Sequence, residues 1–242
     1  MMSEAGKSGI FAIGDLHLSF STEKPMDIFG DRWKQHHTAI EKNWRRAVRD
    51  GDIVLIVGDV SWALKYEDAA ADLEWVRALP GKKILIRGNH DLWWSGISRL
   101  RDDYPDIAFI QNDACVIGGT AFCGSRGWLC PGDPNFAAGD DKIYKRELIR
   151  LRMSLESARR TGAPEIVAGL HYPPMAGNGL ATGFTDLFEE YGVKTLAYGH
   201  LHGGDAFKKA FIGDFRGVEY RLVSADFADF CPLRIGEAKE AT

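Results

Sequence analysis

Short apolar runs alternate along this chain with longer stretches of helical spacing. Residues 10–13, 53–57, 84–86, 166–170 and 193–198 are brief, rich in Val, Ile or Leu, and bounded by Gly or charged residues, which predicts buried β-strands. Between the early runs, Ile40, Trp44, Ala47 and Val48 recur at helical spacing and stop at Gly51, and Ala69, Leu73, Val76 and Leu79 do the same ahead of Pro80 and Gly81. Each reads as a helix closed by a residue that does not extend it. Strand, helix and strand in succession predict right-handed βαβ units, with parallel pairing over about the first hundred residues.

The middle of the chain has a different rhythm. Residues 107–110, 115–117 and 121–123 are separated by Asn112-Asp113 and Gly118-Gly119, the turn chemistry of tight hairpins, so a local antiparallel stretch is expected. Residues 124–139, with Pro131, Pro134 and four glycines, form a long loop that contributes to a surface or a site. The longest helical pattern follows: Ile143, Tyr144, Leu148, Leu151, Leu155 and Ala158, after the capping candidates Asp140 and Asp141 and before Gly162. Its Lys and Arg residues stand among acidic neighbours, the pattern of a solvated helix face rather than a nucleic-acid face.

Composition narrows the class. With 242 residues, 45% of them hydrophobic and 26% charged, the chain can bury one continuous core, and a single domain over residues 1–242 is expected. A formal net charge of -4 offers no broad electrostatic grip on nucleic acid or an anionic membrane, so neither is expected as a stable partner. Residues 10–13 are too few for a signal-peptide core, and the longest wholly apolar run, residues 53–57, falls far short of the roughly 20 residues that span a bilayer. A cytoplasmic location is expected. The cysteines Cys115, Cys123, Cys130 and Cys231 are widely spaced with no Cys-x-x-Cys pair, which reads as reduced, buried thiols. The sequence sets no oligomeric state.

The residues that carry chemistry stand at the ends of the predicted strands. Asp15-Leu16-His17 follows the first, and two residues apart in an extended segment point the same way. Gly58-Asp59 ends the second, and Gly88-Asn89-His90-Asp91 ends the third, with an amide oxygen, an imidazole and a carboxylate in four positions. His171 ends the strand over 166–170 and is followed by Tyr172, Pro173 and Pro174, while Gly199-His200-Leu201-His202 ends the strand over 193–198. Each residue alone has a simpler reading as a hydrogen-bonded or solvated side chain. Their joint occurrence does not: of seven histidines, only His36 and His37 stand elsewhere than just after these strands. The carboxyl ends of strands in open α/β sheets form a common crevice, where such residues can converge on metal ions.

Asp15-x-His17, Gly58-Asp59, Gly88-Asn89-His90-Asp91, His171 and Gly199-His200-x-His202 resemble the complete signature of the calcineurin-like metallophosphoesterase family, with all five blocks in order over residues 10–203. Trp62, Trp93-Trp94 and Arg126-Gly127-Trp128 extend the resemblance more loosely to a bacterial subgroup of that family. It implies an α/β fold of four layers, with two facing mixed β-sheets flanked by α-helices. It also implies two divalent metal ions: Asp15, His17 and His202 hold one, Asn89, His171 and His200 hold the other, Asp59 bridges both, and His90 is left for catalysis. Mixed nitrogen and oxygen ligation suits Mn, Fe, Zn or Co, with Mn favoured.

Charge supports that implication. Two divalent ions bring four positive charges and Asp15 with Asp59 return two, so the centre attracts a phosphoryl group even in an acidic chain. The expected reaction is hydrolysis of a phosphodiester or phosphomonoester of a small or nucleotide-like substrate, by a hydroxide held between the ions. His90 then stabilises developing charge or protonates the leaving oxygen, and Asp91 either orients His90 or caps a helix near Trp93. Trp62, Trp93 and Trp94 read as core residues first and as a pocket wall for a planar leaving group second. Arg126 is a candidate phosphate clamp for substrate. Two alternatives stand. A serine/threonine protein phosphatase is disfavoured because its relatives carry Gly-Asp-x-x-Asp-Arg-Gly where this chain reads Gly58-Asp59-Val60-Ser61-Trp62-Ala63-Leu64. A noncatalytic metal-binding scaffold of the same fold is disfavoured because every ligand position is filled.

Overall fold

The computed structural model describes residues 8–94, 96–177 and 179–238. The predicted early strands pair in parallel: β1 (Gly9–Ile13), β2 (Ile53–Ile56), β3 (Lys82–Ile86) and β4 (Ile107–Ile110) lie side by side, and β11 (Leu233–Glu237) runs antiparallel along the free side of β1. A second sheet has the order β5 (Ala114–Ile117), β6 (Thr120–Ser125), β7 (Glu165–Leu170), β8 (Thr195–Tyr198), β10 (Val218–Leu222) and β9 (Gly213–Phe215). Its four central strands are parallel and its two edges antiparallel.

Period-two alternation sorts the strand residues into three apolar layers. Ile10, Ala12, Ile53, Leu55, Val57, Ile84 and Ile86 meet Phe122, Val167 and Ala197 between the sheets. Phe11, Ile13, Val54, Ile56 and Leu85 turn the other way, onto Ile40 and Trp44 of α1 (His36–Ala47) and Leu73 and Val76 of α2 (Ala70–Arg77). Ile166, Ala168, Leu170, Leu196 and Tyr198 pack outward on α4 (Asp140–Arg160) and α5 (Gly183–Tyr191). Because both sheets are covered on both faces, their strands read as continuous apolar runs rather than alternating ones. Two glycines set how closely the sheets approach: a Cβ on Gly169 would lie 2.3 Å from Ile86 Cδ1 of the facing sheet, and one on Gly124 2.5 Å from the same atom. The result is the expected four-layer arrangement, helices outside and two mixed sheets facing each other.

Several local expectations need correction. Asn112-Asp113 is not a hairpin turn, because β4 pairs with β3 in the first sheet while β5 pairs with β6 in the second. The chain changes sheets there, with Asn112 in a left-handed conformation (φ 63°) and Asp113 Oδ1 accepting from Gln111 N at 2.9 Å. Gly118-Gly119, with φ 56° and 69°, does make the tight turn of β5 and β6. Asp140 opens α4 from within its first turn, where its carboxylate accepts from Ala137 N and Trp128 Nε1. The helix expected near Trp93 begins at Ile97 (α3, Ile97–Asp103). Strands β9 to β11, α5 and the short α6 (Gly204–Phe207) lie beyond the sequence expectations, although Val218, Tyr220 and Leu222 are buried in a plain alternation with half-buried Glu219 and Arg221.

All four cysteines are free, Cys123 and Cys130 buried and Cys115 and Cys231 half-buried. Burial pushes the Cys115 and Cys130 thiols up to about 12, so neither is a reactive thiolate. Among the described residues no helix is long and apolar enough to cross a membrane.

Candidate metal centre

Every parallel strand that carries a predicted ligand ends at the same edge of the two sheets. Asp15 and His17 follow β1, Asp59 follows β2, Asn89 and His90 follow β3, His171 follows β7, and His200 and His202 follow β8. The backbone there is not extended. Asp15 (φ 59°), His17 (φ 46°), Asp59 (φ 52°) and His200 (φ 72°) all take left-handed conformations, so Asp15 and His17 meet because the chain coils beyond β1, not because of strand alternation. Such conformations are uncommon outside glycine and are held by their surroundings. Here the surroundings include Asp15 N and His17 N, which donate to the Gly58 and Asp59 carbonyls at 2.9 Å each.

Asp91 binds these turns together. Its carboxylate accepts from the N–H groups of Gly88 (2.7 Å), Asp59 (2.8 Å), Val60 (2.8 Å) and Ser61 (3.3 Å), and from Trp93 Nε1 (3.0 Å). It therefore neither orients the His90 ring nor caps a helix; it is a buried clasp between the β2 and β3 tips. Glycine is required where the tips touch. A Cβ on Gly88 would lie 2.1 Å from Asp59 Oδ1, and one on Gly199 2.5 Å from Asp15 Oδ2. Gly88→Ala is accordingly expected to displace Asp59 and abolish tight metal binding while the sheets persist, as read by metal content and far-ultraviolet circular dichroism.

The seven predicted donors converge. Asp59 Oδ2 is 3.4 Å from His171 Nε2 and 3.9 Å from His17 Nε2, and Asp15 Oδ1 is 3.6 Å from His202 Nε2 and 3.9 Å from His171 Nδ1. His171 Nε2 also lies 2.7 Å from Asn89 Oδ1 and 3.3 Å from His200 Nδ1, and His17 Nε2 lies 3.3 Å from His202 Nε2. Among the described His, Cys, Asp and Glu residues, two triads bring all their ligand atoms within 4.8 Å of one another: Asp15 with His17 and His202, and Asp15 with Asp59 and His171. Asp15 is thus as central as Asp59.

Outer contacts fix two of the rings. His171 Nδ1 is 3.0 Å from the Val57 carbonyl, an acceptor only, so that nitrogen carries the proton and Nε2 turns its lone pair to the cluster. His202 Nδ1 is 2.9 Å from Asp226 Oδ1, whose second oxygen accepts from Gly203 N at 3.1 Å. Asp226 was not among the sequence candidates, although it follows β10 in the same strand-tip position as the others. It is buried, and its role here is to orient His202.

Burial sets the ionisation of Asp59, His17 and His200. It pushes Asp59 up to about 7, with the charges of Asp91 and Asp15 adding and His171 opposing. It takes His200 down to about 3 and His17 well below the usual imidazole range. At His202 burial is outweighed by hydrogen bonds to Asp15 and Asp226, which hold it up to about 10, and the same contact keeps Asp15 below the usual carboxylate range against its own burial. Carboxylate oxygens and imidazole nitrogens crowd together at these distances, with the charge of His202 set against Asp15 and Asp226. They fit divalent cations: the donors are the mixed nitrogen and oxygen type that such ions take, and a bound cation favours the deprotonated form of each.

A cavity of about 580 Å³ opens over the cluster. Asp59, His17, His200 and His202 form its floor with His90, and Met26, Phe29, Trp33, Trp62 and Phe207 its largely apolar walls. His90 is half-buried, its ring 4.2 Å from Trp62 and 5.9 Å from His17, while its backbone N–H donates to Asp59 Oδ1 at 2.8 Å. Trp62 stacks on His17 at 4.8 Å. Trp93 and Trp94 are buried core residues. Arg126 is absent from this cavity; its guanidinium lies 3.3 Å from Glu147 Oε1 and over the Trp128 ring. The wall residues between β1 and α1, Met26, Phe29 and Trp33, carry no periodic pattern and stand as scattered apolar residues in a polar stretch of the sequence.

The family model for calcineurin-like phosphoesterases matches residues 9–204. The chain is 32% identical over 84 residues to the Gene 66 protein of Mycobacterium phage L5, a match that covers 35% of this chain and 40% of that protein. It is 30% identical over 124 residues to the uncharacterized protein MJ1445 of Methanocaldococcus jannaschii, over 46% of this chain and 67% of the other. The match thus spans less than half of the phage protein. Among solved structures, the protein of unknown function AQ665 from Aquifex aeolicus superposes with a TM-score of 0.52 at 19% identity, over 93% of this chain and 95% of that one, which is a likeness of fold.

Proposed function

Because the chain belongs to the calcineurin-like phosphoesterase family, we propose that it is a dinuclear metal-dependent hydrolase of phosphodiesters or phosphomonoesters. The observation that carries this reading is the meeting of Asp15, His17, Asp59, Asn89, His171, His200 and His202 at one sheet edge, with donor atoms 2.7–3.9 Å apart beneath an open cavity. In this reading Asp15, His17 and His202 hold one ion, Asn89, His171 and His200 hold the other, and Asp59 serves both. When bound, such a pair supplies Lewis acidity and lowers the pKa of a coordinated water toward neutrality.

The chain's own residues complete the site. His90, on the cavity floor, offers a proton or a hydrogen bond to the leaving oxygen. Trp33, Trp62, Phe29 and Phe207 exclude water and give an apolar or planar leaving group a surface to stack on. That wall favours nucleotide-like and aryl esters over inorganic pyrophosphate. Asp226 keeps His202 in the tautomer that exposes Nε2. Asp226→Ala is expected to weaken metal binding by roughly 10–100-fold, as read by metal titration with fluorescence or calorimetry.

The reading is tested by adding Mn, Fe, Zn or Co to the purified chain and assaying monoesters, diesters, pyrophosphates and cyclic nucleotides. Metal-dependent hydrolysis of mono- or diesters is the expected result. A metal-loaded chain inert across the panel would replace this reading with the noncatalytic scaffold.

A further inference from the structure

We propose a second anion site, separate from the metal cluster, in the cavity of about 270 Å³ where the tips of β3, β4 and β6 meet α4, with a phosphate-like oxyanion as its ligand. Four guanidinium groups line it, those of Arg87, Arg126, Arg146 and Arg150. None of the seven metal-cluster residues does, so the proposal does not rest on the phosphoesterase reading.

The charge balance of the cavity is the first argument. Glu147 Oε1 lies 2.8 Å from Arg150 Nη1, 3.3 Å from Arg126 Nη2 and 3.6 Å from Arg146 Nε. Among the described residues this buried carboxylate is the only acidic side chain on the wall, and its single negative charge stands there against four positive ones. Arg87 forms no close ion pair among the described residues: its Nε donates to the Asp91 carbonyl at 3.2 Å, while the Asp91 carboxylate accepts from the amides of the β2 and β3 tips and acts on Arg87 only through space. Burial and the charges of Arg126 and Arg150 lower the pKa of Arg87, with Asp91 and Glu147 opposing but not reversing the shift.

The second argument is an unmet donor. Arg126 Nε is buried and has no hydrogen-bond partner among the described residues. A buried donor normally has one. Gln111, Asn112 and Ser125 add polar groups to the same wall. Guanidinium forks match the paired oxygens of a tetrahedral oxyanion, and a surplus of positive charge favours a multiply charged one over a carboxylate.

Calorimetric titration of inorganic phosphate into the full-length, metal-loaded protein and into its Asp59→Asn variant tests the site. Binding is expected in both proteins. It should weaken by about tenfold or more in Arg146→Ala and in Arg150→Ala, where a charge-assisted partner is lost, and tighten in Glu147→Gln, where the competing carboxylate is gone. Both arginines are exposed at the surface of α4, so those variants retain the fold. Phenyl phosphate binding alongside phosphate would identify the ligand as a phosphoryl group on a larger molecule, and phosphate binding alone would identify the free ion. Phosphate affinity that vanishes in Asp59→Asn and is unchanged in both arginine variants would overturn the proposal, since the metal cluster would then account for all of it.

Discussion

Asp59→Asn is expected to cost the chain both of its ions at once. The replacement has nearly the shape of the original, and its amide oxygen can still accept the His90 N–H that Asp59 Oδ1 takes at 2.8 Å. Asp91 continues to bind the backbone N–H of residue 59, so the turn is preserved. What changes is the oxygen 3.4 Å from His171 Nε2 and 3.9 Å from His17 Nε2. There the variant presents an NH₂ group, which has no lone pair to give, and the site loses one of its two negative charges. Since that oxygen faces imidazoles from both halves of the cluster, metal affinity should fall at both positions. The drop should exceed the roughly 10–100-fold that follows loss of an outer contact. Metal content after gel filtration measures this directly, and full occupancy in the variant would remove Asp59 from the bridging position.

His90→Ala is expected to separate binding from turnover. The His90 ring belongs to the cavity floor, beside Trp62, while the contact with Asp59 is made by the backbone N–H that alanine keeps. Metal content should therefore be unchanged, and kcat should fall by a factor on the order of 10² or more. The loss should be greatest for alkyl esters, whose leaving oxygen needs a proton, and smallest for nitrophenyl esters, whose leaving group departs as a stable anion. An equal loss on both substrate types would argue that His90 stabilises charge on the phosphoryl oxygens instead.

How much of this was legible in the sequence depends on the physical signal each part leaves. The parallel strands were, because burial on both faces gives β1, β2, β3 and β7 uninterrupted apolar runs. The residues at their tips were also legible, not one by one but through their joint occurrence just after successive apolar runs. The way they come together was not. Asp15, His17, Asp59 and His200 depend on left-handed backbone conformations that tertiary contacts impose and that no local pattern announces. Asp91 shows the same limit: its four backbone donors come from two separate strand tips, and sequence proximity pointed instead to His90 or to a helix cap.

The cavity wall was illegible for a different reason. Met26, Phe29 and Trp33 lie in two short 3-10 turns, Met26–Phe29 and Asp31–Trp33, where hydrophobic periodicity has too few residues to register. Arg126 was legible as a cation beside the strand tips but not as the partner of Glu147, which stands on a helix 21 positions further along. The hairpin expected at Asn112-Asp113 failed because the same turn chemistry serves a chain that passes from one sheet to the other.

The central claim is that the strand-tip donors hold two ions together. Anomalous diffraction from crystals of the chain grown with Mn tests it most directly. The account predicts two peaks per chain, one among Asp15, His17 and His202 and one among Asn89, His171 and His200, with Asp59 between them. A single peak, or peaks that lie away from these residues, would contradict it.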